Sequence, residues 1–495
     1  MKIPPEEMET CLRVLQRIAD SGGASPRDLQ FNSLVSKIYR KGKKHDLRRE
    51  KERQRAEDRD LLESAHMVRV QRDMASPALT TAGTAVSSLL AKEGVGAGVR
   101  QSPLLAKEGV GGGGPKRKLN RPESCYVCKA EYTEVHFFYH YLCPDCADLN
   151  YRMRDLHADL TGRTALVTGG RVKIGHQTVL RLLRDGANAI VTTRFPHAAA
   201  ARFNEEPDSP AWRNRLRVYG LDLRNLPVVE EFACHLLQTE PAIDILIHNA
   251  AQTIKRPSGF YSELIAQERN PRATVPIEAR RMVIHEAPAT LAIADSGALL
   301  PGAAAGATSA LAEIRDILPA DALHDNEERA DSRDVNSWLL RLDEVPTQEL
   351  LEVQLVNSIA PFVLNSRLKP LMARSPFTRR FIVNVSAMEG QFGRHKTVYH
   401  PHTNMAKAAL NMMTHTSGED YAKDGIYMNS VDTGWVTDEN PTPKRLRKQE
   451  DRGFFAPLDI IDGMARIYHP IADGINKEEE PLWGKFLKDY AVCRW

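Results

Sequence analysis

No stretch of this chain stays apolar for the length needed to cross a bilayer, which sets aside an integral helical membrane protein. One-sided charge is lacking too: 67 Lys and Arg against 64 Asp and Glu leave a net +3, so no overall field draws the chain to nucleic acid. Cysteine is scarce at seven residues, and Cys11, Cys234 and Cys493 lie scattered with no disulfide-like framework. Met1 to Asp20 lacks the basic, apolar and small-residue blocks of a secretory signal. These absences lead to the expectation of a soluble, cytoplasmic protein with no membrane partner. What is present is ample: 495 residues, 42% of them hydrophobic, suffice for a large core spread over two to four units.

Four regions follow from composition. Residues 1–66 read as a charged, helical N-terminal region, with apolar spacing in Cys11, Leu12, Val14, Leu15 and Ile18 and again in Leu29, Leu34, Val35 and Ile38. The charge run from Lys37 to Asp60 contains Glu50, Glu52, Glu57 and Asp58 among its bases, so it reads as a solvated helix laced with ion pairs more readily than as a nucleic-acid site. Residues 67–118 shift to Ala, Gly, Ser, Thr and Pro and repeat Leu-Leu-Ala-Lys-Glu-Gly-Val-Gly at 89 and 104, the composition of a flexible low-complexity linker. Residues 119–156 hold Cys125-x-x-Cys128 and Cys143-x-x-Cys146, two knuckles able to set four thiolates around one structural zinc. A segment this small, with little aliphatic core, needs the metal to fold, and a redox role for either pair is the lesser reading. His136 and His140 lie between the knuckles, but four cysteines already complete the shell.

From 160 to 495 strands and helices alternate, which points to an α/β, Rossmann-type doubly wound parallel sheet. The expected strands are Thr164–Thr168, Ala189–Thr193, Leu216–Leu221, Ile243–Ile247, Phe381–Val385, Ile426–Val431 and a short last one near Gly484–Leu487. Helices are expected after Gly175, over Thr347–Met372, and from Thr403 to near Gly425. Residues 254–345 do not fit the repeat and include an Ala/Gly-rich run from Ala287 to Ala312; a substrate lid and a loosely helical surface insertion are both open readings.

Several short motifs then fall in one order. Thr-Gly-Gly-Arg-Val-Lys-Ile-Gly follows the first strand: Gly169 permits the sharp turn, and Gly175 lets the next helix pack close, with its N-terminal amides free to face a pyrophosphate. Asn249 in His-Asn-Ala, Asn357 in Leu-Val-Asn-Ser, Ser386 in Val-Asn-Val-Ser, Lys407 in Met-Ala-Lys-Ala-Ala-Leu and Gly434 in Thr-Gly-Trp-Val-Thr complete the set. In these motifs the chain resembles the short-chain dehydrogenase/reductase family, as a divergent branch that joins a zinc-ribbon-like front end to the dehydrogenase domain. The resemblance implies a nicotinamide cofactor held by Gly169, Arg171, Lys173, Ile174, Gly175, Asp222, Asn249, Ala250, Lys407, Gly434 and Thr437. Lys173 stands where the family usually has a glycine, and strand two ends on Arg194 with no acidic residue for a free ribose diol, so NADP(H) is favoured over NAD(H), with Lys173 and Arg194 gripping the extra phosphate.

The resemblance also assigns the chemistry. Ser386 polarises a carbonyl, Lys407 holds the nicotinamide ribose and Asn357 anchors a water relay, but the family's acid-base tyrosine has no counterpart: Thr403 stands four residues before Lys407. Thr403 follows Pro401 and reads as the N-cap of the helix. Tyr399 is the obvious substitute acid, with His400 and His402 as alternatives because imidazole titrates near neutrality. The expected activity is NADP(H)-dependent hydride transfer to or from a carbonyl/alcohol pair or an activated double bond of a small molecule. The alternative is an inactive NADP(H)-binding sensor or scaffold with zinc and charged partner-binding regions. A homo-oligomer is a further implication of the family.

Overall fold

The computed structural model describes residues 4–20, 29–75, 118–285, 323–324, 328–329, 333–393 and 396–495. Of the linker expected over 67–118, residues 76–117 lie outside the described residues, as does the Ala/Gly-rich run 287–312, whereas 67–75 are helical and bury Met67 and Val68. Among the described residues, no helix is long and apolar enough to cross a membrane.

The N-terminal region forms helices α1 (Pro5–Asp20), α2 (Leu29–Glu63) and α3 (His66–Ala75). Helix α1 buries nothing, and α2 carries pairs such as Arg48–Glu52 and Arg53–Glu50, each at 2.8 Å on the solvated helix surface. The far end of α2 meets strand β1 (Lys118–Ser124), where Asp58 Oδ1 accepts the Asn120 N–H. Strand β2 (Glu131–Glu134) pairs antiparallel with β1, and helix α4 (Pro144–Met153) completes the cysteine unit. Its core is largely aromatic, with Tyr132, Phe138 and Tyr139 around Leu119 and Leu142, and it recruits Met67 from α3 and Leu458 from the large domain.

The large domain is a nine-stranded sheet. Its strands are β3 (Thr164–Thr168), β4 (Asn188–Thr193), β5 (Leu216–Gly220), β6 (Ile245–His248), β7 (Val283–His285), β8 (Arg380–Ser386), β9 (Ile426–Asp432), β10 (Phe486–Lys488) and β11 (Ala491–Cys493). The spatial order is β11-β10-β9-β8-β6-β3-β4-β5-β7, all parallel except β11, which runs antiparallel to β10. The order doubles back at β3 and β6, which puts the carboxyl ends of those strands at the topological switch point where such sheets bind ligands. β-branched and leucine side chains alternate to the two faces and meet helices on each. Helices α5 (Lys173–Arg184), α6 (Pro196–Asn204) and α13 (Ile460–Asn476) cover one face, and α7 (Leu226–Thr239), α10 (Ala360–Ala373) and α11 (Pro401–Lys423) the other, with α12 (Thr442–Arg452) following β9.

Three expectations are corrected. The insertion is not wholly lid or surface: after helix α8 (Ser262–Arg269), Val275, Ala279 and Met282 enter the main core, and β7 adds an edge strand beside β5. The long helix over 347–372 is not continuous α-helix: α9 (Thr347–Gln354) passes through a π-turn at Leu355–Ile359 into α10. Thr403 is not an N-cap, because Pro401, with its fixed φ, already begins α11, and the cap is His400 in the left-handed region at φ 43°.

Candidate active site and four-cysteine centre

The turn after β3 is built by backbone approach. Gly169 sits at φ +69°, where a Cβ would lie 2.8 Å from Ala250 Cα, and a Cβ on Gly175 would overlap Gly169 O and Asn249 Nδ2. The Asn249 amide ties the turn to β6 by donating to Gly169 O at 2.9 Å and Thr168 O at 3.3 Å, and Ala250 N–H donates to Thr168 Oγ1 at 3.1 Å. Lys173 opens α5 at φ 54°, a left-handed backbone that glycine adopts without strain. The N-cap, Val172, offers no side-chain acceptor, so the first-turn amides face outward with the positive end of the helix dipole. Ile174 packs on Gly463, where a Cβ would come within 2.7 Å of Ile174 Cδ1.

Cationic side chains surround this turn in an arrangement only partly anticipated. Arg194 lies between two rings, its guanidinium carbon 4.7 Å from the Tyr261 centroid and 5.4 Å from that of Phe195. The cation that shares Phe195 with it is Arg171, at 5.5 Å, whereas Lys173 lines a small cleft with Ile254, Arg256, Asn336 and Thr437. Thr437 Oγ1 donates to Glu439 Oε1 at 2.6 Å in that cleft. Asp222 is held by Arg224, whose Nη2 donates to Oδ2 at 2.5 Å; burial raises its carboxyl, but the Arg224 hydrogen bond and charge outweigh this and leave it below its ordinary value. The glycine cradle and the uncapped helix start together fit the pyrophosphate of a dinucleotide.

At the ends of β8 and β9 the expected catalytic residues converge. Ser386 is buried and donates its hydroxyl to Asn411 Oδ1 at 2.6 Å. Lys407, one turn earlier on α11, is 6% exposed and donates to Val385 O at 2.8 Å. Burial pulls its ammonium down to about 8, against the opposing charges of Glu389 and Asp432. Close packing holds the pieces together, since a Cβ on Gly390 would lie 2.6 Å from the Lys407 carbonyl and 2.7 Å from Asn411 Nδ2. Asn357, in the π-turn, accepts the Gln252 N–H at 2.7 Å and donates to Gln252 O at 3.1 Å, which locks the strand β6 exit to the helix. Asn411 escaped the sequence reading; its one signal is the four-residue spacing of Thr403, Lys407 and Asn411 along one helix face.

The substitute acids fare differently. His400 Nδ1 bonds Trp338 O at 2.9 Å and its ring stacks on Trp338 at 3.9 Å and 7°, so it is locked to the segment before α9. His402 Nε2 faces Glu349 at 3.6 Å. Tyr399 is half-buried, and among the described residues no hydrogen bond joins it to Ser386, Lys407 or Thr403. The Thr403 hydroxyl is buried without a partner among the described residues.

The four cysteine sulfurs Cys125, Cys128, Cys143 and Cys146 lie within 4.8 Å of one another, a donor set able to hold one metal ion. The histidines between them are engaged elsewhere: His136 Nδ1 accepts the Phe138 and Tyr139 N–H groups, and His140 Nε2 lies 3.4 Å from Phe455 O. The unit is anchored on α13 by Arg154, which bonds Asp459 at 2.8 Å and Asp462 at 3.0 Å, and by Tyr139 Oη to Asp462.

The model of the short chain dehydrogenase family matches residues 163–268, and that described as enoyl-(acyl carrier protein) reductase matches 338–451. The gap between them spans most of the insertion. The chain is 32% identical over 364 residues to an uncharacterised protein of Acanthamoeba polyphaga mimivirus, covering 70% of this chain and 71% of that one. The chain belongs to the short-chain dehydrogenase/reductase family, a family of oxidoreductases. Dehydrogenase/reductase SDR family member 13 of Bos taurus is 43% identical over 94 residues, which is 19% of this chain and 24% of the relative. A short chain dehydrogenase from Shigella flexneri superposes with a TM-score of 0.41 at 15% identity, covering 69% of this chain and 99% of that one.

Proposed function

We propose that the protein is an NADP(H)-dependent oxidoreductase that interconverts a carbonyl and an alcohol, or saturates an activated double bond, in a small molecule, and that its four-cysteine centre holds a structural zinc. The observation that carries this reading is the cluster of Ser386, Asn411 and Lys407 beside an intact glycine turn. The nucleotide, when bound, supplies or accepts the hydride. Arg171 and Arg194 would receive its extra phosphate, and the ring supports of Arg194 keep the guanidinium plane oriented for bidentate contact. Ser386 sits at the strand end where charge develops on the substrate oxygen, and Asn411 fixes its rotamer.

Proton supply is the unusual element. Ser386, Asn411 and Asn357 do not titrate, and Thr403 is too weak an acid near neutrality, whereas Lys407 is held near 8 by burial. In this reading Lys407 both binds the ribose side and gives the proton to the developing alkoxide, directly or through one water. Lys407→Arg separates the two roles, because guanidinium keeps the charge but not the proton. NADPH should still bind that variant while turnover of a carbonyl panel falls by about a hundredfold; full turnover would refute the assignment. A second reading, a nucleotide-binding sensor without turnover, is favoured by the buried threonine at position 403. Tight NADPH binding by wild-type protein with no reduction of any panel carbonyl would establish it.

A further inference from the structure

The four-cysteine unit makes a side-chain hydrogen bond to the loop after β9 through Tyr126. Tyr126 lies between the first two cysteines, and its phenol oxygen accepts the backbone N–H of Trp435 at 2.8 Å. Trp435 follows Gly434 in the loop after β9, the loop that the family resemblance assigns to the nicotinamide end. Asp432, the last residue of β9, is in register with Ser386 on β8, so this loop leaves the sheet directly beside the catalytic serine.

Both partners are held from behind. On the knuckle side, Tyr126 N–H donates to Tyr141 O at 2.8 Å, Cys125 N–H to Ala130 O at 2.9 Å and Lys129 N–H to Cys125 O at 3.1 Å, with Cys125 fully buried. On the loop side, Gly434 takes φ +79° and gives its N–H to Asp432 Oδ1 at 2.6 Å. A Cβ there would overlap Leu458 Cδ1, so glycine is needed for the loop to pack on Leu458, and it would stand in ordinary contact, 3.5 Å, with Tyr126 Oη. Lys488 bridges the pair, with its ammonium 5.8 Å from the Tyr126 ring centre and 3.4 Å from Asp432 Oδ2. Apolar contacts run in parallel: Val436 packs on the core of the four-cysteine unit, and Phe454 meets both Trp435 at 4.9 Å and Tyr141 at 6.2 Å.

A unit present only to add stability has no need of a polar contact to this loop. A hydrogen bond from a partly exposed N–H contributes little net stability, because water replaces it, but it does fix the loop's conformation. We propose that Tyr126 is a positioning residue for cofactor binding: the metal-bound knuckle holds its phenol so that the Gly434–Val436 loop is already shaped for the nicotinamide end of the nucleotide. The inference rests on the reading that this site takes a nicotinamide nucleotide.

Two measurements on the full, zinc-loaded chain test it, with Tyr126→Phe removing one oxygen and leaving the ring. Calorimetric titration compares NADPH with its adenosine bisphosphate half, which lacks the nicotinamide. Tyr126→Phe should weaken NADPH about three- to tenfold and leave the half-ligand unchanged. Chelating the metal from wild-type protein should give the same selective loss, with little added loss in Tyr126→Phe. Equal NADPH affinity in both proteins, or equal weakening of both ligands, overturns the proposal. Amide hydrogen exchange without ligand reads the tether itself: the Trp435 amide should exchange at least about threefold faster in the variant, and an unchanged rate also overturns it. Faster exchange in the variant, in a wild-type protein that binds neither nucleotide, would instead leave the tether standing and remove the cofactor reading.

Discussion

Ser386 donates a hydroxyl hydrogen bond to Asn411 Oδ1 at 2.6 Å, and Asn411 sits one helical turn beyond Lys407. The bond fixes where the serine oxygen points before any substrate arrives, and the Asn411 Nδ2 group is left buried without a partner among the described residues. Asn411→Ala releases the serine rotor. It should lower kcat/KM by about tenfold with the panel carbonyl that turns over best, leaving NADPH affinity unchanged, while Ser386→Ala costs about a hundredfold. In the Ser386→Ala background, Asn411→Ala should cost almost nothing more. Additive losses would mean that Asn411 acts elsewhere.

In the proposed function Arg194, supported by Tyr261 and Phe195, sets the choice of nucleotide. Replacing it with Ala removes a charge-assisted contact to the extra phosphate, a loss of about ten- to a hundredfold in NADPH affinity. NADH, which lacks that phosphate, should change by less than about threefold. Parallel titrations of both nucleotides read the ratio, and a loss equal for the two would show that the arginine holds something other than the phosphate.

In the proposed function Lys407 should give nucleotide binding a pH dependence. Its proton is released near 8 in the folded protein against an ordinary 10.5. Between these values the unfolded chain binds the proton more tightly, so folding stability rises with pH across that window, while the cation offered to the nucleotide disappears. NADPH affinity should therefore decline above about pH 8 in wild-type protein and stay flat in Lys407→Arg. A flat wild-type profile to pH 10 would show that the ammonium takes no part in binding.

Two buried imidazoles should make the fold sensitive to acid. Burial pulls His248 down to about 4 despite its contact with Asn365, and His140 likewise to about 4 despite Phe455 O. Both are bases with depressed folded values, so the unfolded chain binds more protons between about 4 and 6.5 and stability falls as pH drops through that range, by at most about 3 kcal/mol for each residue. His248→Asn should flatten the slope of the urea midpoint between pH 6.5 and 4, and so, separately, should His140→Gln. An unaltered slope in both variants would assign the acid sensitivity to other groups.

The sheet was readable because its signals are local. Each of the seven expected strands is a short, mostly apolar run, and their observed ends differ from the expected ones by no more than about two residues. The glycine turn was readable for the same reason. What escaped depends on contacts between distant segments. Strand β7 is three residues long and is recognisable only by its pairing with β5. The support of Arg194 by Tyr261 links β4 to the insertion. Tyr126 and Trp435 are separated by 309 residues, and nothing in either local sequence names the other. The start of α11 was misplaced for a local reason, since Pro401 fits the first helical turn better than Thr403 fits the cap.

The π-turn at Leu355–Ile359 makes one rod with two unlike sides. Upstream of it, Glu352 is turned to Lys255 at 3.1 Å and Glu349 to His402; downstream, Leu364, Leu368 and Leu371 enter the sheet-side core. An unbroken α-helix advances about 100° per residue, so the widened turn acts as an angular offset between the halves. Losing a single codon in this stretch would restore ordinary winding and swing one half off its partners, taking Asn357 from Gln252. The packing of this segment therefore specifies its length as well as the identity of Asn357.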